Sequence, residues 1–465
     1  MKDAFLSTSA GSYVLDLYLA RWVILTCIGL SFVFALIYIK LMDWFAFWLS
    51  WISVGLVQAS LIGVGYFFYA WRQDSINAGD DYSDWLWWGM FISWLTAGLY
   101  YVILACNMRS LRVSIAIIET AADFFADTKR VVLIPLGYFF FGLVMFMLWF
   151  WGFICVSSVG TIDYAGIDPD LQFRQITWDD TTYAYVYTML FGILWIFSFL
   201  IAANEFAVIV SASTWYFSRK DIPDDDGIPG DAQVWKGFWW TVRYHAGSLA
   251  FGSLILTIVW VIRLVFEYVG NKMQEASGNN GCTKCLVSCI RCCLACFDRF
   301  VRYINRNAYI YMAISSENFC SSALNSFILI LKNMAKFSFV EGIGGVFMFI
   351  AKFCIAITTT VCGFLLLGVM IEGENQVKDP FLPTAIIFAF AYLVGTIFIS
   401  IFDTSANTIL QCYLIDVDIA KQNNLECKHV PQTLARFLKH HLPEGVELKS
   451  EEAEQRASLN ANLLE

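Results

Sequence analysis

Nine apolar stretches, each long enough to cross a lipid bilayer, constrain this chain more than any other feature. They lie at about 17–39, 44–71, 86–106, 132–158, 183–217, 240–270, 308–336, 339–371 and 382–412. A helix covers the roughly 30 Å hydrocarbon layer with about 20 residues. Trp22–Tyr38, Val132–Cys155 and Phe347–Met370 are the strongest runs. The weakest is 308–336, which carries Ser315, Ser316, Glu317 and Asn318 in mid-span. That composition is costly for a lipid-facing crossing, so the segment reads as a half-embedded amphipathic helix or as a helix shielded by its neighbours. A β-barrel would alternate apolar and polar residues in strands of about ten. These runs do not alternate, and in lipid the backbone must then satisfy itself within helices. The expected fold is all-α, a polytopic transmembrane helical bundle of about nine spans. A short exoplasmic N-terminus occupies 1–16, a transmembrane domain 17–412, and a soluble cytoplasmic tail 413–465.

Composition agrees. Of 465 residues, 58% are hydrophobic and only 15% charged, against about 25% charged in ordinary soluble proteins. The chain is too apolar for disorder. Its net charge of −9 leaves no basic stripe for nucleic acid. The first apolar run lacks a small-residue cleavage site, so it reads as a retained span rather than a signal peptide.

The charges sort the connections into two sets. Residues 72–85, 159–182 and 372–381 are acidic, with Asp74, Asp80, Asp81, Asp84, Asp163, Asp168, Asp170, Asp179, Asp180, Glu372, Glu374 and Asp379. Residues 107–131 and 218–239 and the tail carry more Lys and Arg than the acidic loops, which have one each; they include Arg109, Arg112, Lys129, Arg130, Arg219, Lys220 and Lys236. Basic short loops face the cytoplasm, which puts the acidic loops and the N-terminus outside. Segments 240–270 and 308–336 then either both cross or both fail to cross. If both cross, the Cys-rich amphipathic segment 271–307 is exoplasmic despite its six Lys and Arg. If neither does, it is cytoplasmic.

That segment places Cys282, Cys285, Cys289, Cys292, Cys293 and Cys296 within fifteen residues. CxxC pairs suggest zinc, but only three residues separate Cys285 from Cys289, where zinc modules usually leave a dozen or more. At about 100° per residue the six thiols form one stripe, with Lys284, Arg291 and Arg302 opposite. This is the pattern of a helix lying at a membrane surface. Three readings stay open: a plain apolar face palmitoylated if cytoplasmic, disulfides if exoplasmic, and metal.

Ionisable residues inside spans are expensive and usually face a partner or a cavity. Arg263 and Glu267, four apart, read as a pair on one helix face. Glu205 in IAANEFAVIV has no local partner in sequence, and Asp403 in ISIFDTSANT is similar. Most of the 18 Trp and 21 Tyr suit interfacial belts. Trp195, Trp215, Tyr216, Tyr244 and Trp260 lie deeper. Aromatic faces hold quaternary ammonium ions because the ring quadrupole attracts a cation without hydrogen bonds. His245, at a span entrance, reads as a proton relay or as a packed histidine. Gly247, Ser248, Gly252 and Ser253 beside it allow close helix approach.

HExxH, Walker, GxSxG and GxGxxG patterns are absent, so no enzyme, catalytic residue, metal or cofactor is expected. There is also no N-x-[ST] acceptor.

Five stretches resemble one family. They are RYHAGSLAFGSLILTIVWVIRLVFEYV (243–269), CLVSCIRCCLACFDRFVRYINRNAYIYMAISSENFCSSALNSF (285–327), FAVIVSASTWYFSRKDIP (206–223), DTSANTILQCYLID (403–416) and LRVSIAIIETAAD (111–123). Together they resemble the choline transporter-like family of solute carriers. The resemblance is specific over about 200–420 and weaker over about 20–200. It implies an integral multi-pass carrier, in the plasma membrane or an organellar one, for choline or a related organic cation. Such a carrier works by facilitated or proton-coupled movement and has membrane lipids around it. The chain begins where the resemblance places the family's second span, which again implies nine crossings and an N-terminus outside. The expected substrate site joins Glu205 as counter-charge to Trp195, Trp215, Tyr216, Tyr244 and Trp260, with His245 and Asp403 as proton relay. The rival reading is a structural scaffold, a subunit of a complex that keeps the fold without transport.

Overall fold

The computed structural model describes residues 9–78, 83–165, 173–218, 233–276, 281–370, 380–423, 429–431 and 434–435. Its helices in chain order are α1 (Ser9–Ala78), α2 (Ser83–Cys106), α3 (Met108–Asp127), α4 (Leu133–Ser157), α5 (Asp180–Phe217), α6 (Val234–Arg243), α7 (Ala246–Ala276), α8 (Gly281–Ser315), α9 (Phe319–Lys332), α10 (Met334–Met370) and α11 (Phe381–Asn423). Between α4 and α5 stands a short antiparallel ladder of β1 (Thr161–Ala165) and β2 (Phe173–Thr177), pairing Thr161 with Thr177 and Ala165 with Phe173. The all-α class holds, with this ladder as its one departure among the described residues.

Eight stretches are long and apolar enough to cross a membrane: Asp16–Leu41, Phe45–Ile76, Trp85–Cys106, Lys129–Ser157, Asp180–Phe217, Ala246–Ala276, Met334–Gly368 and Phe381–Asn423. They match eight of the nine expected segments. The ninth, 308–336, is not one helix. Its first part ends α8 at Ser315, and Ser316 takes a left-handed φ of 60°. A new helix, α9, then begins at Phe319, with Asn318 Oδ1 accepting from the Ser321 N–H at 3.0 Å. The polar SSEN sequence supplies a cap in place of a mid-span. The expected segment 271–307 is divided as well, between the end of α7 and α8, and 277–280 lie outside the described residues. Helix α11 runs on to Asn423, eleven residues into the expected tail, and most of the remaining tail is outside the described residues.

The described residues fall into two compact units. One draws on Met1–Lys129, Ala212–Ala232 and Ile330–Glu465, the other on Arg130–Ser211 and Gln233–Leu329.

In the first unit, Ala20, Val23, Ile24 and Cys27 of α1 pack on Leu367 of α10 and Ile387 of α11. Phe32 meets Phe398 edge-on at 5.6 Å. Helix α3 is too polar to span, yet Leu111, Ile115, Ile118, Ala122 and Phe125 bury one face of it. Phe125 and Phe347 both pack on Phe402, at 5.9 and 5.2 Å. The α11 stretch from Thr404 to Leu414 is buried without a break. Its Thr404, Ser405 and Thr408 hydroxyls donate to carbonyls four residues back, which satisfies polar groups inside an apolar interior.

In the second unit, Trp178 donates to the Ser157 carbonyl at 3.1 Å, and the Asp179 carboxylate accepts the Thr182 N–H at 3.0 Å, capping α5. The Trp149 indole ties α4 to the Met189 carbonyl of α5 at 3.0 Å. The Trp195 indole ties α5 to the Ala250 carbonyl of α7 at 3.1 Å. Helix α8 returns antiparallel along α7. Asn305 donates to the Gly252 carbonyl at 2.7 Å, Arg263 pairs with Asp298 at 3.2 Å, and Arg291 pairs with Glu267 at 2.9 Å. The expected pairing of Arg263 with Glu267 is therefore replaced. Each reaches across to an opposite charge on α8, because Arg291 and Asp298 of that helix face α7.

Candidate functional site

The core of the second unit gathers residues from four helices. Ala202, Phe206, Ile209 and Val210 of α5 meet Leu249 of α7, Ala308, Tyr309, Ile310 and Met312 of α8, and Phe319 of α9. Trp240 of α6 packs against them, partly buried. The α5 members recur at three- and four-residue spacing, one face of a helix. Gly252 makes the crossing tight: a Cβ there would stand 2.5 Å from the Tyr309 hydroxyl and 2.8 Å from Phe319.

Glu205 stands on α5 beside Phe206, half-buried. Its charge reaches Tyr309 of α8. Phe206 is fully buried, and its ring lies 5.0 Å from the His245 imidazole, tilted by 51°. Tyr309 is 1% exposed and 5.9 Å from the Phe319 ring, which in turn meets Phe251 at 5.7 Å. A carboxylate thus stands within electrostatic reach of Tyr309, one residue along α5 from the buried Phe206. Burial lowers the His245 pKa below its ordinary value near 6.5, so at neutral pH the ring beside this group carries no positive charge.

The expected site residues divide. Glu205, Trp195 and His245 belong to the second unit: Trp195 and His245 lie at the junction of α5 with the start of α7, and Glu205 acts on Tyr309 of α8. Tyr244 and Trp260 are in the same unit but point outward, 69% and 40% exposed. Trp215, Tyr216 and Asp403 belong to the first unit. There Trp215 is 2% exposed and donates its indole N–H to Asp127 at 3.1 Å. Asp403 is half-buried and accepts from the Asn407 amide at 3.4 Å. Tyr309, Asn305 and Phe319 were not expected at a site. Asn305 and Tyr309 are four residues apart in NRNAY, a spacing that puts both on one helix face, and this signal would have pointed to them.

The six α8 cysteines, Cys282, Cys285, Cys289, Cys292, Cys293 and Cys296, are free and exposed. Arg291 turns toward Glu267 of α7, and Arg302 pairs with Asp298 on α8 itself. Among the described residues no three His, Cys, Asp or Glu are placed to hold a metal ion.

Eight helical stretches long and apolar enough to cross a bilayer mark an integral, multi-pass α-helical membrane protein, with a half-buried acid near a buried tyrosine. The sequence signature of the family described as plasma-membrane choline transporter matches residues 91–418, well over half the chain, and the chain belongs to that family. Choline transporter-like protein 2 of Dictyostelium discoideum is 29% identical over 333 residues, covering 70% of this chain and 49% of that protein. Choline transporter-like protein 4 of Xenopus laevis is 33% identical over 233 residues, covering 49% of this chain and 32% of that protein. Choline transporter-like protein 5-A of Danio rerio is 33% identical over 229 residues, covering 48% and 32%. The matched stretches thus span between about a third and a half of these relatives' lengths. The family is one of transporters rather than enzymes.

Proposed function

We propose that this protein moves choline or a related organic cation across its membrane, with Glu205 as the counter-charge and the rings of Phe206 and Tyr309 as the surfaces that hold the ammonium group. The observation that carries this reading is the placement of one half-buried carboxylate beside the buried rings of α5 and α8. A quaternary ammonium offers no hydrogen-bond donor, so its recognition needs π-faces and a negative charge. Both are supplied within the second unit alone. The neutral His245 adds no repulsion. The rings pack on one another, so the cation enters as α8 parts from α5. Movement down the gradient needs nothing more, and a proton-coupled cycle would use His245 as its titrating group.

Radiolabelled choline uptake into proteoliposomes tests the reading. Wild type exceeds empty vesicles, Glu205→Gln and Tyr309→Ala lose most of the uptake, and Trp260→Ala, whose ring faces outward, retains it. Uptake equal to empty vesicles from folded protein sinks the proposal and leaves the non-transporting scaffold subunit as the better reading.

A further inference from the structure

The helix α6, VWKGFWWTVR, is divided into two faces in a way that the cation site does not use. Its inner face is backbone-tight: a Cβ on Gly237 would stand 3.1 Å from the Ala207 carbonyl of α5 and 3.5 Å from Val210 and Ser211. Thr241 on the same side is 1% exposed. The outer face carries Trp235 at 84% exposed, Trp239 at 59% and Val242 at 55%, with Tyr244 just beyond at 69%. Lys236 and Arg243 are exposed too. Seven residues apart, they fall within about 20° of each other on the helix, along one edge of the aromatic face.

We propose that this outer face binds the anionic phospholipid surface of the cytoplasmic leaflet, with Lys236 and Arg243 as headgroup contacts. Tryptophan and tyrosine settle at headgroup depth, and a helix with one aromatic face and basic residues beside it lies in the interfacial plane. The helix joins directly to the span α7, which fixes it at the bilayer edge. By the charge rule its connection is on the cytoplasmic side, where anionic lipid gathers. Because Gly237 rests on Ala207, two residues from Glu205, lipid that holds α6 also steadies that turn of α5. The competing negative charge is in the same connection, at Asp221, Asp224, Asp225, Asp226 and Asp231, outside the described residues.

The test does not depend on transport. Purified protein in neutral detergent with phosphatidylcholine is titrated with phosphatidylserine, and its melting temperature is followed. Wild type is stabilised, and Lys236→Ala/Arg243→Ala needs roughly thirty-fold more phosphatidylserine for half the effect, the change expected for two bases losing an anionic surface. In the otherwise unaltered chain, p-benzoylphenylalanine at position 235 yields phospholipid adducts on illumination. A wild type indifferent to phosphatidylserine overturns the proposal, as do crosslinks to protein alone. So does a double variant already destabilised in phosphatidylcholine to the same degree as Asp224→Asn/Asp225→Asn/Asp226→Asn, since the chain's own acids would then be the partner.

Discussion

The indole N–H of Trp215 donates to the Asp127 carboxylate at 3.1 Å, across 88 residues of sequence. It joins the last turns of α5 and α3, with the Phe124 ring edge-on at 5.5 Å. Trp215→Phe keeps most of the packing and removes the donor. A hydrogen bond to a charged group contributes roughly 1.5–3 kcal/mol, so the melting temperature in detergent should fall by several degrees. Asp127→Asn, whose carbonyl still accepts, should cost less. A Trp215→Phe variant as stable as wild type would show that ring packing alone holds this joint.

Gly252 is the narrowest point between α7 and α8, with the Tyr309 hydroxyl and Phe319 where a side chain would be. Gly252→Val should destabilise by about 1–3 kcal/mol, the usual result of overfilling a packed core. It should also lower choline uptake, because it displaces Tyr309. Gly247, five residues earlier, has nothing within 4 Å of its virtual Cβ, so Gly247→Ala should be neutral or slightly stabilising. Equal effects at the two glycines would contradict the crossing.

Apolar run length made eight spans readable, since about twenty apolar residues suffice to cross a bilayer whatever a helix packs against. The α8 helix escaped that reading because its partner is α7 rather than lipid. Arg291, Arg302 and Asp298 make it too polar for a span by composition, yet Glu267 and Arg263 of α7 pair with Arg291 and Asp298, and Arg302 shares Asp298. The Arg263–Glu267 spacing suggested a local pair for the same reason: sequence shows neighbours four apart but not the helix opposite. Glu205 stood out as an acid in an apolar run. Its aromatic neighbour Tyr309 is over a hundred residues away in sequence, and nothing local announces that distance. Trp215 and Trp195 looked alike in sequence, yet the indole of Trp215 has a carboxylate partner and that of Trp195 a backbone carbonyl.

Asp298 accepts from both Arg263 and Arg302, at 3.2 and 3.0 Å, and its own side chain is 7% exposed against 48% and 53% for the arginines. Removing the shared acid should therefore cost more than removing either base. Asp298→Ala is expected to destabilise by roughly 1.5–3 kcal/mol, and Arg263→Ala or Arg302→Ala by about 0.5–1 kcal/mol each. Thermal unfolding of the three variants and the Arg263→Ala/Arg302→Ala pair checks the order. An arginine variant worse than Asp298→Ala would refute it.

Burial lowers the His245 pKa, and the sign of its effect on stability follows. Between the folded value and the ordinary one near 6.5, the unfolded chain binds a proton that the folded chain does not, so stability rises with pH across that interval. The contribution is complete above about 6.5 and is lost as pH falls below it. Comparing wild type with His245→Gln from pH 8 to 5 should show a wild-type decline that the variant lacks. Parallel curves would mean that His245 stays neutral in both states or is solvated.

Combined with the charge rule, the direction of α7 predicts the side of the Cys-rich stripe. Trp195 meets Ala250, and Phe206 meets His245, so α7 runs antiparallel to α5 and its Ala276 end points the same way as Asp180. The β1–β2 ladder is joined to that end of α5 by the acidic connection that the charge rule places outside. Helix α8 starts there, and its 35 residues give roughly 52 Å of length, enough to return across the bilayer with charges paired against α7. Cys282, Cys285, Cys289, Cys292, Cys293 and Cys296 should then be exoplasmic. A membrane-impermeant maleimide should label them from the side that also exposes an epitope inserted at 166–172, and in a Cys155→Ser background the label should vanish when the six are changed to Ser. Acyl exchange chemistry should find no palmitate on them, since cytoplasmic acylation cannot reach that side. Labelling only after permeabilisation, with thioester-linked acyl chains present, would reverse the orientation of the α7–α8 pair.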